Sequence, residues 1–274
     1  MILIADSGST KIDWCFKSSK EDYRIVNTKG INPFYQNKEE ISHTIEEVLN
    51  MCPSPEKIYF YGAGCTKEKS SIIYDIFSTL VPSCKTIEVD SDLLGAAKAA
   101  CGLKAGIAAI LGTGSNSCEY DGNSIVKNIP PLGFILGDEG SGAVLGKKFV
   151  ADGMKSILSK DIFDKFLDEY GLSVSVIMDK VYREPFPNRF LASLCPFLNK
   201  NRDNEEIHNL LVNSFREFFN RNIKKYNYSE YDVNFVGSIG YHFKDEVKEA
   251  AEIESIKTGS FIKSPMEGLI DFCS

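Results

Sequence analysis

The amino-acid sequence predicts an α/β fold in which two similar halves each carry a mixed β-sheet flanked by helices. Apolar runs typical of strands alternate with helical patterns of roughly 10–15 residues, as in layered α/β proteins. The order strand, strand, strand, helix, strand, helix, strand, helix fills residues 1–105 and begins again at Gly106. A chain of 274 residues also exceeds the usual size of one domain. We therefore expect a duplicated architecture with a ligand between its halves.

The first half, residues 1–105, contains the strand-like runs MILIAD, KIDWCF, YRIVNT, KIYFYGAG and KTIEVD. Its helical patterns are KEEISHTIEEVLNM, KSSIIYDIFSTLV and SDLLGAAKAACG. Short turns separate the first three strands, so the sheet is expected to begin antiparallel and to be mixed.

The second half, residues 106–274, repeats this order with an insertion. The runs GIAAILGTG, NSCEYDG and SIVKNIP read as strands, and a helix is expected from about Glu139. A helical block over roughly 160–225 is the predicted insertion. Strand DVNFVGSIG, helix FKDEVKEAAE, strand SIKTG and a last helix from about Pro265 complete the prediction.

Composition excludes several classes of function. A net charge of −7 argues against nucleic acid as a partner. No apolar stretch approaches the roughly 20 residues that span a bilayer, and MILIADSG lacks the features of a signal peptide. We therefore expect a cytoplasmic protein with no membrane partner. The 8 cysteines include no CxxC and the 3 histidines are scattered, which favours buried reduced thiols over a zinc site.

A polar turn, Asp6-Ser7-Gly8-Ser9-Thr10-Lys11, follows the first strand. Backbone N–H groups and hydroxyls in such a turn can bind phosphate. Asp6 ends the strand at the edge where α/β sheets bind ligands, and could hold Mg²⁺ through water. The alternative is a hairpin whose side chains make only turn hydrogen bonds.

A second turn, Gly112-Thr113-Gly114-Ser115-Asn116, follows the run IAAIL. Its glycines leave N–H groups free to bind an anion. The Walker A spacing is absent because Ser141 stands where GDEGSGAVLGKK would need its first glycine. GxGxxG is also absent, since Ser117 replaces the third glycine. The two turns suggest two clamps on one polyphosphate.

Three further segments could carry chemistry. Asp92 opens the helix after KTIEV, where it could cap the helix or act as a base toward a substrate hydroxyl. Asp138 and Glu139 stand beside a helix start, as caps or as ligands of substrate hydroxyls. NFVGSIG joins a strand to a helix through small residues that could accept an adenosine.

Together these segments resemble the actin–hexokinase ATPase superfamily. Within it, SDLLGAA, LGTGSN and LGDEGSG are most similar to the N-acetylglucosamine kinase and benzoyl-CoA reductase ATPase-like group. The resemblance is strong over residues 1–16 and 85–155, moderate over 230–274 and weak in the helical block. It implies a duplicated ribonuclease-H-like fold with two lobes that close over ATP, Mg²⁺ and a sugar, and a homodimer is common in such folds.

Carried over by position, the resemblance makes Asp92 the base that takes the proton of the sugar 6-hydroxyl. It assigns phosphate and nucleotide binding to Ser7, Gly8, Ser9, Thr10, Lys11, Gly112, Thr113, Gly114, Gly237, Ser238 and Gly240. It assigns sugar contacts to Asn32, Asp92, Ser115, Asn116 and Asp138. Pro131 and Leu132 depart from the glycine and tryptophan of mammalian-type kinases near the acetamido group, so the exact sugar stays open.

The predicted function is therefore an ATP-dependent kinase acting on N-acetylglucosamine or a related amino sugar or hexose. One alternative is an ATPase activator that drives electrons into a partner enzyme through an iron–sulfur cluster shared across a dimer. Cys65 in YGAGCTKE is a candidate ligand, although such clusters need about four thiolates. A sugar-sensing protein that has lost catalysis is a third hypothesis, which the intact Asp92 disfavours.

Overall fold

The computed structural model describes residues 1–8, 11–19, 21–52, 54–66 and 68–273. Its contacts divide the chain into two compact units. The first unit comprises residues 1–104, 121–125 and 264–274, and the second comprises residues 105–120 and 126–263. Residues 264–274 thus group with the first unit, whereas the sequence placed them in the second half. The expected domain boundary at residues 105 and 106 stays a prediction.

The first unit contains a five-stranded mixed sheet in the order β3-β2-β1-β4-β5. Its strands are β1 (Ile2–Ser7), β2 (Lys11–Lys17), β3 (Tyr23–Lys29), β4 (Lys57–Gly62) and β5 (Thr86–Ser91). The β1–β2 and β2–β3 pairs are antiparallel, and β1, β4 and β5 run parallel. The carboxyl ends of these three parallel strands therefore meet at one edge, as the sequence predicts.

The helices of the first unit are α1 (Lys38–Leu49), α2 (Ser70–Leu80), α3 (Asp92–Cys101) and α13 (Met266–Phe272). Trp14, Phe60 and Phe77 are fully buried between the sheet and α1 and α2. On the other face α13 packs against α3, β1 and β2. The buried Lys17 ammonium donates hydrogen bonds to the carbonyl oxygens of Ile270 (2.6 Å) and Cys273 (2.9 Å). This cation satisfies the carbonyls that the end of α13 leaves without partners.

The second unit contains a five-stranded mixed sheet in the order β10-β9-β6-β7-β8. Its strands are β6 (Gly106–Leu111), β7 (Ser115–Tyr120), β8 (Ile125–Asn128), β9 (Val233–Val236) and β10 (Thr258–Ile262). The β6–β7 pair is antiparallel, while β6, β9 and β10 run parallel. Both units therefore repeat one strand arrangement, which confirms the predicted duplicated fold.

Helices form the rest of the second unit. Their bounds are α4 (Gly133–Leu136), α5 (Gly142–Met154), α6 (Lys160–Tyr170), α7 (Val174–Tyr182), α8 (Pro187–Ala192), α9 (Cys195–Lys200), α10 (Glu205–Arg221), α11 (Ser238–His242) and α12 (Lys244–Ile253). A 3₁₀ turn, Ile223–Lys225, follows α10. Aromatic contacts join α5, α6 and α9, with the Phe149 and Phe166 ring centroids 4.9 Å apart and those of Phe166 and Phe197 5.3 Å apart. The helical block predicted over 160–225 is therefore a packed part of this core.

Three boundaries differ from the sequence prediction. The helix expected from Glu139 begins at Gly142, because Ser141 is its N-cap and accepts a hydrogen bond from the N–H of Val144 at 3.3 Å. Residues 133–136 form a short helix that the sequence did not predict. The strand expected over SIKTG lies at Thr258–Ile262 instead. None of the helices in the described part of the chain is long and apolar enough to cross a membrane.

Candidate functional site

Two aspartates lie at the carboxyl edge of the first sheet. Asp6 is the penultimate residue of β1, and Asp92 follows β5 directly as the first residue of α3. Strand β4 lies between them, since Asp6 is in register with Tyr61 and Tyr61 with Asp90. The sheet therefore brings together two carboxylates that are 86 positions apart in the sequence.

The ionisation of Asp6 depends on its surroundings. Burial of the Asp6 carboxyl, together with the negative charges of Asp92 and Asp13, raises its pKa to about 7. The Lys11 ammonium acts in the opposite direction. An acid in such surroundings is easier to ionise when a cation lies beside it. Asp6 is thus chemically suited to hold a divalent cation.

Asp92 is not the N-cap of α3, one of the two roles that the sequence left open. The N-cap of α3 is Ser91, whose hydroxyl accepts the N–H of Leu94 at 3.2 Å. Burial raises the pKa of the Asp92 carboxyl, although the N–H groups of Leu93 and Asp92 itself act in the opposite direction. Ser91 is therefore the N-cap, and the Asp92 carboxylate accepts first-turn N–H groups of α3, those of Leu93 and of Asp92 itself. A raised pKa also makes this carboxylate a stronger base than an exposed aspartate.

The first turn is only partly described, because Ser9 and Thr10 lie outside the described residues. The N–H of Gly8 donates to the carbonyl of Lys11 at 3.0 Å and closes the turn. The fully buried Ser7 hydroxyl donates to the carbonyl of Ile31 at 3.1 Å. Lys11 is exposed and pairs with Asp13 at 2.8 Å. The phosphate contacts expected of Ser7, Gly8 and Lys11 stay predictions, and the Ser7 side chain already fixes the loop that carries Asn32.

Asn32 lies in that loop and is nearly buried. Its Oδ1 accepts the N–H of Phe34 at 3.0 Å, and its own N–H donates to Oε1 of Gln36 at 2.7 Å. Such an Asx turn holds the side chain in one orientation. The sugar contact expected of Asn32 stays a prediction, but the structure gives its amide a fixed direction.

The second turn is anchored to the start of α5 through its carbonyl groups. The carbonyl of Gly112 accepts the N–H of Gly142 at 2.8 Å, and that of Thr113 accepts the N–H of Ala143 at 3.1 Å. A trans peptide points its N–H away from its own carbonyl. The N–H groups of Thr113 and Gly114 therefore point away from α5, and neither has an acceptor among the residues that the structure describes. Two adjacent N–H groups in one turn are suited to bind an anion, and the phosphate contact expected of this turn stays a prediction.

Asp138 lies over this turn. A Cβ atom on Gly114 would lie 3.0 Å from Oδ2 of Asp138, and the Asp138 carboxylate accepts the N–H of Ser115. Burial raises the pKa of the Asp138 carboxyl to about 6, and Glu139 raises it too, while the Ser115 hydrogen bond and Lys147 lower it. Glu139 itself pairs with Arg221 at 3.0 Å. Glu139 is thus committed inside the protein, whereas Asp138 stays beside the turn with Ser115.

The predicted adenosine segment lies against the same turn. Gly237 has φ +115°, and a Cβ atom there would lie 2.4 Å from the carbonyl oxygen of Leu111. Gly240 is buried and faces the side chains of Phe235 and Leu111. Ser238 is exposed at the start of α11. Within the second unit, the structure therefore brings this segment together with Gly112 and Gly114.

Cys65, the candidate cluster ligand, is buried with 3% of its surface exposed. Burial raises the pKa of its thiol to about 12, and the charges of Asp92 and Asp90 act in the same direction. Thiolates, not thiols, bind iron. Among the described residues no group of three or more His, Cys, Asp or Glu side chains could hold a metal ion. Burial and these charges disfavour the thiolate form of Cys65.

Sequence reasoning missed the residues that support the turn. The N–H groups of Gly142 and Ala143 orient it, and the side chains of Asn128 and Tyr226 reach β7 from β8 and from the end of the helical block. The segment GDEGSG predicted the start of a helix, but it did not predict that this start would donate hydrogen bonds to the turn after β6. No local pattern distinguishes Asn128 or Tyr226, because their contacts depend on strand pairing and on a separation of 109 positions between Tyr226 and Ser117.

Solved structures resemble the chain over nearly its whole length. A candidate N-acetylglucosamine kinase from Porphyromonas gingivalis is 44% identical, with a TM-score of 0.94 and coverage of 99% of this chain and 98% of that one. A candidate N-acetylglucosamine kinase from Chromobacterium violaceum is 17% identical, with a TM-score of 0.75 and coverage of 100% and 98%. A ROK family glucokinase from Streptomyces griseus, solved with glucose and AMPPNP, is 13% identical, with a TM-score of 0.57 and coverage of 98% and 97%.

The last two likenesses, below 25% identity, concern the fold alone. No family profile and no curated protein matches the chain. The first likeness is different in kind, because 44% identity extends over almost all of both chains. The chain therefore belongs to the N-acetylglucosamine kinase-like family of the actin–hexokinase superfamily.

Proposed function

We propose that the protein is an ATP-dependent sugar kinase that transfers the γ-phosphate of ATP to the 6-hydroxyl of N-acetylglucosamine or a related amino sugar or hexose. The observation that carries the proposal is the placement of Asp92. Its carboxylate is half-buried at the carboxyl edge of the sheet, its charge raises the pKa of Asp6, and Ser91 is the N-cap of α3. The similarity to the candidate N-acetylglucosamine kinase from Porphyromonas gingivalis, which is 44% identical, supports the same chemistry.

In this reaction Asp92 accepts the proton of the sugar 6-hydroxyl while the oxygen of that hydroxyl attacks the γ-phosphorus. The bond between that phosphorus and the β–γ bridging oxygen breaks, and ADP leaves. Such transfer depends mainly on positioning and on stabilisation of phosphate charge. The N–H groups of Thr113 and Gly114 would bind phosphate oxygens, and Gly237, Ser238 and Gly240 would contact the nucleoside. Asn32, Ser115, Asn116 and Asp138 would bind sugar hydroxyls.

Asp6 fits a role in holding Mg²⁺. Magnesium usually keeps several waters and takes only one or two carboxylates from a protein, together with substrate phosphates. Asp6 offers hard oxygen ligands and already experiences the charge of Asp92. When bound with ATP, the ion would neutralise charge on the phosphates.

A coupled ADP-release assay over hexoses and N-acetylhexosamines tests the proposal. We expect turnover with at least one N-acetylhexosamine. Asp92→Asn should retain ATP binding but have a kcat lower by about 10²–10⁴-fold, the range typical of losing a general base. Asp75→Asn, an exposed acid on α2, is the matched control. Protein that binds ATP but turns over no sugar contradicts the proposal, and equal turnover in Asp92→Asn shows that Asp92 is not the base.

A further inference from the structure

The side chain of Asn128 lies in a dense group of acceptors at the end of β8. Its Nδ2 donates to the carbonyl oxygen of Ser117 at 2.7 Å, to Oδ1 of Asn116 at 3.0 Å and to the carbonyl oxygen of Ile129 at 3.3 Å. Two of these three partners are backbone carbonyls, which can only accept. The atom of Asn128 that faces them is therefore its nitrogen, not its oxygen.

This identity determines the orientation of Asn116 in turn. The atom of Asn116 that meets the Asn128 nitrogen must be an acceptor, and the N–H of Ser117 donates to the same atom at 2.9 Å. Two donors thus converge on Oδ1 of Asn116. Its Nδ2, which carries two N–H donors, is left on the other branch of the planar amide. No acceptor for Nδ2 is found in the described part of the chain, and Asn116 is partly exposed.

Tyr226 holds the same arrangement from behind. Its buried hydroxyl donates to the carbonyl of Ser117 at 2.8 Å and accepts the N–H of Ile129 at 2.9 Å. It thereby ties the segment after β8 to β7 at the position next to Asn116. The Tyr226–Ser117 hydrogen bond is buried, so its loss would leave a buried polar group without a partner, whereas Asn128 itself is exposed and its hydrogen bonds lie at the surface.

We propose that Asn128 is a positioning residue that fixes the Asn116 amide as a pure donor toward the bound sugar. The inference rests on the proposed sugar-kinase function, and it adds what Asn116 recognises. With Oδ1 already occupied, Asn116 offers only N–H groups to a ligand. It therefore selects an oxygen with free lone pairs on the sugar, such as a hydroxyl or a carbonyl oxygen, and disfavours a group that can only donate.

Two variants test this from opposite sides. Asn128→Ala removes the group that holds Asn116, so we expect the KM for the sugar to rise about tenfold, with the KM for ATP and kcat within about twofold. Asn116→Asp keeps an acceptor for Asn128 and Ser117 but replaces the N–H donors with an oxygen. We expect it to raise the sugar KM at least about tenfold at an unchanged melting temperature. Asn123→Ala, in the exposed turn before β8, is the matched control.

The outcomes separate the inference from the function on which it rests. A wild-type protein that turns over no sugar contradicts the proposed function itself. An active wild type with an unchanged sugar KM in Asn128→Ala contradicts the role of Asn128. If Asn128→Ala fails to fold, Asn116→Asp decides, and an unchanged sugar KM in that variant overturns the inference. An equal rise in the KM for ATP and for the sugar in Asn128→Ala would show general damage and overturn it as well.

Discussion

The N–H of Gly142 donates to the carbonyl oxygen of Gly112 at 2.8 Å, and this bond reverses the usual relationship between a helix start and a phosphate. The N-terminus of a helix commonly binds an anion directly. Here α5 uses its first N–H groups to hold the turn after β6, and Ser141 occupies the next one. The donors left for an anion are those of Thr113 and Gly114, so in the proposed function the turn, held by the helix, is the element that binds phosphate.

The position of this turn also depends on Gly237, and Gly237→Ala should displace it. The residue has φ +115°, and an added Cβ would lie 2.4 Å from the carbonyl oxygen of Leu111, just before Gly112. Backbone strain and overpacking together should lower the free energy of unfolding by about 2–4 kcal/mol. We also expect the KM for ATP to rise about tenfold, since each factor of ten needs only about 1.4 kcal/mol.

Gly171→Ala is the control for this prediction. Gly171 has φ +59° but no atom within 4 Å of an added Cβ, so only the backbone cost of about 1 kcal/mol is expected. Thermal unfolding and ATP titration of both variants measure the difference. Equal losses of stability and equal ATP affinities in the two variants would show that the contact with Leu111 does not matter.

Asn32 allows its structural and binding roles to be separated. Asn32→Asp keeps the acceptor for the N–H of Phe34 but loses the amide donors, whereas Asn32→Ala loses both. We expect Asn32→Ala to be less stable than the wild type by about 1 kcal/mol, because the N–H of Phe34 loses its acceptor, whereas Asn32→Asp keeps that acceptor. Both variants should raise the sugar KM several-fold. A normal sugar KM in a folded Asn32→Asp protein would confine this residue to its Asx turn.

The succession of strands and helices along the chain and the turn after β6 could be predicted from the sequence because each depends on local pattern. Alternation of apolar runs and helices predicted the two sheets, and Gly112 to Gly114 predicted a turn whose N–H groups are free to bind an anion. The supports of the site could not be predicted. Asn128 meets Asn116 only because β7 and β8 are neighbours in the sheet, and Ser91 rather than Asp92 caps α3 because of backbone angles. Pairing between distant residues leaves no periodic signal in one sequence.

The raised pKa of Asp6 predicts that, without metal, the contribution of this carboxyl to the free energy of unfolding falls as the pH rises. The carboxyl has a pKa of 3.8 as its ordinary value and about 7 in the folded protein. Between these values the folded state binds the proton that the unfolded state has released. The contribution of Asp6 to stability is therefore largest below about pH 4, falls as the pH rises toward 7 and stays reduced above it. In EDTA, Asp6→Asn should raise the stability at pH 8 by about 1–3 kcal/mol and change it little at pH 4.

Melting curves from pH 4 to pH 8 measure this difference, with Asp75→Asn as the control acid. Added Mg²⁺ and ATP should narrow the gap between the wild type and Asp6→Asn, because a cation offsets the repulsion between Asp6 and Asp92. A pH-independent difference between the two proteins would mean that Asp6 is not protonated in the folded state.

Cys65 distinguishes the kinase from the alternative of an iron–sulfur activator. Its thiol is 3% exposed and burial raises its pKa to about 12, so it should behave as a small apolar side chain. Protein purified without oxygen should be colourless and free of iron. Cys65→Ala should retain sugar phosphorylation within about threefold. Its small cavity should lower the free energy of unfolding by about 1–2 kcal/mol. Cys118→Ala, also at a buried thiol, is the matched control. A brown wild-type protein with stoichiometric iron, together with loss of that iron in Cys65→Ala but not in Cys118→Ala, would establish the cluster. It would contradict the assignment of Cys65 as a packing residue.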